Sequence, residues 1–242
     1  MTKNKRVNPE EYDEEYFERG ISSGKSGYQD YHWMPERTIK FAHKIIKELN
    51  LREGDKILDY GCGLGGLLQK IYLINKKVKL YGVDIDGKII KEAIKNCKFA
   101  DIKKITANQK ISARKGYFDL IFCLDVIEHS QKPINILKEI KRVLSPDGKV
   151  ILCTPDLFSF WIKNKSDNLS KSLIFNIRRL FRIDVIDPTH KKELSIYDLN
   201  FLIKQTGFKK VKTNTNNLLH FSPFISYFFR DPSSFIWVLS HS

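Results

Sequence analysis

The sequence predicts a doubly wound α/β fold, with a mostly parallel sheet covered by helices on both faces. Three observations carry this. Strand-like and helix-like segments alternate along most of the 242 residues, which implies βαβ units. Phe118 to Leu124 is apolar at nearly every position, as a strand buried on both faces must be. Lys56 to Tyr60 reads as a strand that breaks into a glycine-rich loop, Gly61 to Gly66, and then a helix.

The elements follow in order. Pro35 to Leu49 places Ile39, Ala42, Ile45, Ile46 and Leu49 at helical spacing. After the first strand and its loop, Leu67 to Ile74 continues as helix. Lys79 to Asp84 is the second strand. Gly87 to Asn96 gathers Ile89, Ile90, Ala93 and Ile94 on one helical face. Ile102 to Thr106 is a weak third strand, and Phe118 to Leu124 is the fourth. Pro133 to Leu144 is amphipathic, with Ile136, Leu137, Ile140, Val143 and Leu144 inward and Lys138, Glu139, Lys141 and Arg142 outward. Pro146-Asp147-Gly148 stops it. Lys149 to Thr154 is the fifth strand. Ser195 opens another helix with Asp198 as its capping-box partner, and Gly207 closes it. Phe208 to Thr213 is the sixth strand, and Phe235 to Leu239 is a weak seventh. This gives an amino-terminal segment at 1–34, a main domain at 35–215 with an insertion at about 156–190, and an aromatic extension at 216–242.

Composition narrows the class. Hydrophobic content of 42% and charged content of 29% are those of a globular protein. No run approaches the roughly 20 apolar residues that span a bilayer. Met1 to Gly20 lacks the apolar stretch of a secretory signal. The four cysteines, Cys62, Cys97, Cys123 and Cys153, form no CxxC pair and stand near no histidine at zinc spacing, so no metal is expected. Reduced thiols and a cytoplasmic address follow. Net charge is +14, which suits nucleic acid, an anionic membrane or an anionic substrate. Lysine is spread along the chain, which favours solvated lysine faces over any of these.

The chemistry sits at the glycine loop. Gly61, Gly63 and Gly66 satisfy G-x-G-x-x-G, a pattern that also marks dinucleotide sites. Asp84 ends the second strand, where a carboxylate accepts from ribose hydroxyls in either kind of ligand. Asp59 separates the two readings. A buried carboxylate two residues before the loop repels a pyrophosphate and attracts a cation. That points to S-adenosylmethionine, with its ammonium and sulfonium, rather than to NAD. The plainer readings are a capping or turn acid for Asp59 and a strand-end acid for Asp84, with Asp86 as a rival to Asp84.

These residues, with Phe118-Asp119-Leu120-Ile121, Asp125-Val126-Ile127-Glu128-His129, Pro133, Leu137 to Leu144, Pro146, Gly148 and Thr154-Pro155, resemble the class I S-adenosylmethionine-dependent methyltransferases. The resemblance runs from about Glu36 to Val211 and is weakest between Asp156 and Thr189. It is nearest to the branch with quinone-biosynthesis and small-molecule O-methyltransferases. It implies a Rossmann-like seven-stranded sheet whose last strand is antiparallel. It further implies a cofactor site of Asp59, Gly61, Cys62, Gly63, Gly65, Asp84, Ile85, Asn108, Leu124 and Asp125, with S-adenosylhomocysteine as product. Ile85 is expected beside adenine, Asn108 near the adenine amine, and Leu124 and Asp125 at the methionine end.

Glu128 and His129 are the candidate catalytic residues. His129 suits a general base for a hydroxyl acceptor. In some quinone-branch members acids and the histidine here bind a divalent ion. The plainer reading braces the loop by a hydrogen bond. His190, before the last helix, is a second candidate. Tyr12, Tyr16, Phe17, Tyr28, Tyr31, His32 and Trp33 suit a lid over the site or a helix on the sheet edge. The insertion interleaves Phe158, Trp161, Phe175 and Phe181 with Lys163, Lys171, Arg178 and Arg182, which suits a pocket cap or peripheral contact with the inner face of a membrane. The partners expected are therefore a small or lipophilic acceptor and, less so, a membrane surface or RNA.

Overall fold

The computed structural model describes residues 15–16, 19–24, 51–106, 110–155, 190–191, 194–214 and 234–240. The helix expected at Pro35 to Leu49, Asn108, most of the amino-terminal aromatics and the insertion at 156–189 lie outside the described residues. The elements in chain order are α1 (Gly20–Ser23), β1 (Lys56–Tyr60), α2 (Gly66–Ile74), β2 (Lys79–Asp84), α3 (Gly87–Asn96), β3 (Ala100–Lys104), β4 (Phe118–Leu124), a 3-10 turn (Ile127–His129), α4 (Pro133–Val143), β5 (Leu144–Pro155), α5 (Ile196–Thr206), β6 (Lys209–Asn214) and β7 (Ser234–Ser240).

The seven strands form one sheet in the order β3-β2-β1-β4-β5-β7-β6. β3, β2, β1, β4 and β5 pair in parallel. β7 runs antiparallel to both β5 and β6. The predicted sheet is therefore present, and the segment beyond residue 215 supplies one of its strands. Strand order reverses at β1 and β4. A crevice for a ligand opens there, beyond the carboxyl ends of the strands.

Neighbouring strand residues feed opposite cores, as a two-residue period requires. Leu58, Ile121 and Cys123 join one core with Ile136, Leu137 and Ile140 of α4 and Leu199 and Ile203 of α5. Ile57, Leu120 and Phe122 join the other with Leu68 and Ile71 of α2 and Ile90 and Ala93 of α3. Replacing one of these with alanine costs about 2–5 kcal/mol.

Two boundaries differ from expectation for physical reasons. β3 begins at Ala100, because it pairs with β2 from Leu80↔Ala100 to Asp84↔Lys104. As an edge strand it buries only Ile102 among its own residues, and the buried Ile105 beyond its end pulls the apolar pattern forward. β5 begins at Leu144, which pairs with Phe118 before the register shifts to Leu120↔Lys149. Pro146-Asp147-Gly148 thus forms an irregularity within the strand.

Candidate functional site

The glycine loop is built by backbone. Gly61 and Cys62 both donate their N–H to the Val83 carbonyl, tying the end of β1 to β2. Gly61 has φ +82°, and a Cβ there would lie 2.3 Å from Val126 Cγ2. Gly65 has φ +87°, and its Cβ would lie 2.6 Å from Cys97 Sγ. Only glycine meets both demands. Asn96 Nδ2 donates to the Leu64 carbonyl at 3.2 Å and holds the loop from α3. Cys62 is buried, and a Cβ on Gly82 would lie 3.0 Å from its Sγ. Cys62 therefore packs beneath the loop in space that Gly82 leaves.

Asp84 sits at the carboxyl end of β2. Its Oδ2 accepts from Gly63 N–H at 3.0 Å and its Oδ1 from Asp86 N–H at 3.1 Å. Each carboxylate oxygen keeps a second acceptor site. Burial raises its pKa, and the backbone N–H groups of Asp86, Gly63 and Ile85 oppose that rise. Asp86 is the N-cap of α3, accepting from Lys88 and Ile89 N–H at 2.6 and 3.1 Å. Its carboxylate is spent on the helix, which removes it as a rival to Asp84. Ile85 follows, partly buried against the core.

Asp59 is 5% exposed. Its carboxylate makes no hydrogen bond among the described residues. It is not a helix cap, because the N-cap of α2 is Gly65, with no side-chain capping bond. Burial first, and the Asp84 charge second, push its pKa up to about 7. A buried carboxylate in this state lacks a cation. The ammonium of S-adenosylmethionine would supply one.

The second half of the crevice lies after β4. Asp125 takes φ +52°, a turn that non-glycine residues seldom adopt. The 3-10 turn that follows carries Glu128 and His129. Glu128 is 1% exposed; its Oε2 accepts from Thr154 Oγ1 at 3.0 Å, while its Oε1 is buried with no partner. Burial chiefly, and the Asp125 charge next, raise its pKa to about 8, while His190 opposes the rise. The His129 and His190 rings meet edge to face, with centroids 4.9 Å apart. Lys191 N–H donates to the Glu128 carbonyl at 2.9 Å, pinning the segment before α5 to this rim. One ligand atom from each of Glu128, His129 and His190 lies within 4.8 Å of the others. The structure thus brings the two sequence candidates together with His190. It adds Thr154, which the sequence marks as part of the resemblance but not as a partner of Glu128.

At the other edge of the sheet, Arg142 of α4 clamps the loop that leads into β4. Its guanidinium meets Glu139 at 2.8 and 2.6 Å and the carbonyls of Ala113 and Ile111 at 2.8 and 3.0 Å. Ile111 N–H donates to Glu139 at 2.7 Å. Arg142 and the Ile111 N–H hold the Glu139 carboxyl below its ordinary pKa against the cost of burial.

The fold and the glycine loop are those of nucleotide-cofactor sites, and Asp59 makes no hydrogen bond among the described residues. The methyltransferase-domain family profile matches residues 31–213. The chain belongs to this family and is a class I S-adenosylmethionine-dependent methyltransferase domain. Among curated relatives it is 30% identical over 133 residues to the ubiquinone biosynthesis O-methyltransferase of Pseudomonas aeruginosa, covering 50% of this chain and 56% of that one. It is 27% identical over 128 residues to the mitochondrial enzyme of that name in Schizosaccharomyces pombe, covering 51% and 46%. The chain thus spans about half the length of the curated relatives it matches. Among solved structures, an S-adenosylmethionine-dependent methyltransferase from Aquifex aeolicus shares the fold with a TM-score of 0.56 at 16% identity, covering 85% of this chain and 93% of that one. Phosphoethanolamine N-methyltransferase 2 of Haemonchus contortus, solved with S-adenosylmethionine, gives 0.59 at 14%, covering 84% and 52%.

Proposed function

We propose that this chain transfers a methyl group to an oxygen on a small or lipophilic acceptor. The single observation that carries the cofactor half of the reading is Asp59, buried two residues before the glycine loop with no hydrogen bond among the described residues. S-adenosylmethionine supplies the methyl group on a sulfonium, which is a good leaving group. The protein's task is to place donor and acceptor in line and to manage one proton. In this reading Asp59 and the backbone at Gly61, Cys62, Gly63 and Gly65 hold the methionine part. Asp84 holds the ribose hydroxyls through its remaining acceptor sites. Ile85 faces the adenine, and Leu124 and Asp125 border the methionine end; Asn108, expected near the adenine amine, lies outside the described residues.

His129, beside Glu128 and His190, takes the acceptor's hydroxyl proton. Oxygen is favoured over nitrogen because a hydroxyl keeps its proton near neutral pH and so needs a base, and this rim provides one. The relatives named as O-methyltransferases support the same choice. The Glu128–His129–His190 arrangement is also a chelating donor set, so a divalent ion there would serve the same end by acidifying the hydroxyl.

Calorimetric titration with S-adenosylmethionine, S-adenosylhomocysteine and NAD tests the cofactor half. Tight binding of the first two and none of NAD is expected; the reverse order sinks the reading. A methyl-release assay against phenols, catechols, quinone precursors and amines then tests the acceptor half, with turnover on amines alone counting against oxygen. The charge of +14 favours an RNA acceptor as the second reading. Filter binding with a steep salt dependence, together with methylation of RNA, would replace the first reading by that one.

A further inference from the structure

We infer that the outer face of α5 is a docking surface for an anionic lipid membrane. Tyr197 and Phe201 stand one helical turn apart on this helix. They are 77% and 61% exposed. An isolated surface aromatic needs no explanation, but two at i,i+4 on a rigid helix form a ridge. Asn200, Lys204 and Gln205 share the exposed side of the helix. The inner side is committed to the core through Leu199, Leu202 and Ile203.

The surroundings of the ridge are basic. Lys204 on α5, Lys209 at the start of β6 and Lys132 and Lys138 around α4 are exposed. Lys141 reaches the Gly207 carbonyl and lies 5.4 Å over the Phe208 ring, which fastens α4 to the end of α5. Described acids on these two helices are already engaged. Asp198 closes the capping box with Ser195, and Glu139 is held by Arg142. A second copy of the chain is therefore a poor occupant, since it would set lysines against lysines with no acid to meet them. A folded acidic protein would need a concave surface to receive the two projecting rings. A fluid bilayer takes a convex ridge without one. Aromatic rings settle at the headgroup level while lysines meet anionic lipid around them.

Position gives the docking a use. α5 starts five residues after Lys191, whose N–H is bonded to the Glu128 carbonyl, and Tyr197 lies at that end of the helix. The ridge thus begins beside the rim of the crevice. A protein docked on this face has one end of its contact next to the rim. The inference concerns the face itself and does not depend on which acceptor is methylated.

The test is cosedimentation of the full chain with vesicles of phosphatidylcholine alone and of phosphatidylcholine mixed with phosphatidylglycerol. Binding to the mixed vesicles only, weakened by salt, is expected. The double variant Tyr197→Ser, Phe201→Ser should partition at least about tenfold less, with thermal midpoint and S-adenosylmethionine affinity unchanged. Lys204→Glu should weaken it by a smaller factor of about three to five. Wild-type sedimentation by the double variant would overturn the inference and assign any vesicle binding to another part of the chain. So would failure of the wild type to bind vesicles, whether or not Phe201→Ser abolishes a dimer in sedimentation velocity or binding to RNA.

Discussion

The crevice has two acidic halves that use carboxylates in opposite ways. In the loop half, Asp84 is held by backbone N–H groups from Gly63 and Asp86, and Asp59 makes no hydrogen bond among the described residues. In the rim half, Glu128 is held by the Thr154 side chain and lies with two histidines. Burial raises the pKa of all three. The loop half surrounds its acids with backbone, while the rim half sets Glu128 among side chains drawn from three segments. Under the proposed function the first half binds the donor and the second handles the acceptor's proton.

Substitutions can break this contrast, and the largest effect is expected at Gly61. Gly61→Ala forces a Cβ into Val126 and strains a backbone at positive φ. Cofactor affinity should fall at least about a hundredfold, and the thermal midpoint should drop. Adding Val126→Ala should recover part of the stability, because it relieves the clash but not the φ. Full recovery would show that the loop tolerates a side chain.

Asp59→Asn comes next. It should weaken S-adenosylmethionine by roughly ten- to a hundredfold while leaving adenosine nearly unaffected. In the wild type a cationic ligand favours the ionised carboxylate. Affinity should therefore rise with pH up to about 7 and then level, with proton release on binding below that pH. Asp59→Asn should flatten this profile, and a profile unchanged by the substitution would remove Asp59 from the site.

The ligand-free protein should show the opposite trend in stability. A carboxyl whose folded pKa is raised binds more protons when folded, so its contribution is full at low pH. That contribution is lost as pH rises from about 4 through about 7 for Asp59 and about 8 for Glu128. The loss is on the order of a few kcal/mol. Thermal melts between pH 5 and 8.5 would show it, and saturating S-adenosylmethionine should reverse the part due to Asp59 alone.

Glu128→Gln sharpens the other side of the contrast. It should leave cofactor affinity within about twofold and lower the methyl-transfer rate by roughly a hundredfold, with a shifted pH–rate profile. A loss in cofactor affinity instead would merge the two halves into one. The smallest effect is expected at Arg142→Lys, which keeps the charge but loses the two-pronged grip on Glu139 and the carbonyls of the 111–113 loop. A destabilisation of about 1–2 kcal/mol is expected, with little change in rate.

The same division explains what could be read from the sequence. The loop half lies in contiguous runs, Ile57 to Gly66 and Tyr81 to Asp84, where apolar pattern, glycine placement and strand-end acids fall within a few residues of each other. Its strands were placed to the residue at Lys56–Tyr60 and Lys79–Asp84. Asp84 and Asp86 are separable in the sequence, because the first ends a strand and the second lies in the turn that caps the next helix. The rim half gathers Glu128, Thr154 and His190 from three segments, and no spacing rule joins them. Glu128 and His129 were visible as a motif, but Thr154 emerged only when β5 was seen beside β4. β7 was the weakest strand in the pattern, because its place in the sheet comes from pairing with two distant strands.

The place of β7 governs how the protein is made. β6 pairs with β7, and β7 is what joins it to the rest of the sheet. While the ribosome is still adding residues beyond Asn214, β6 has no seat. The parallel portion from β3 to β5 can assemble first, exposing an open flank on β5 until residues 234–240 emerge and slide in. Until residues 234–240 take their place, the parallel portion keeps a bare strand edge of the kind that invites pairing with another chain.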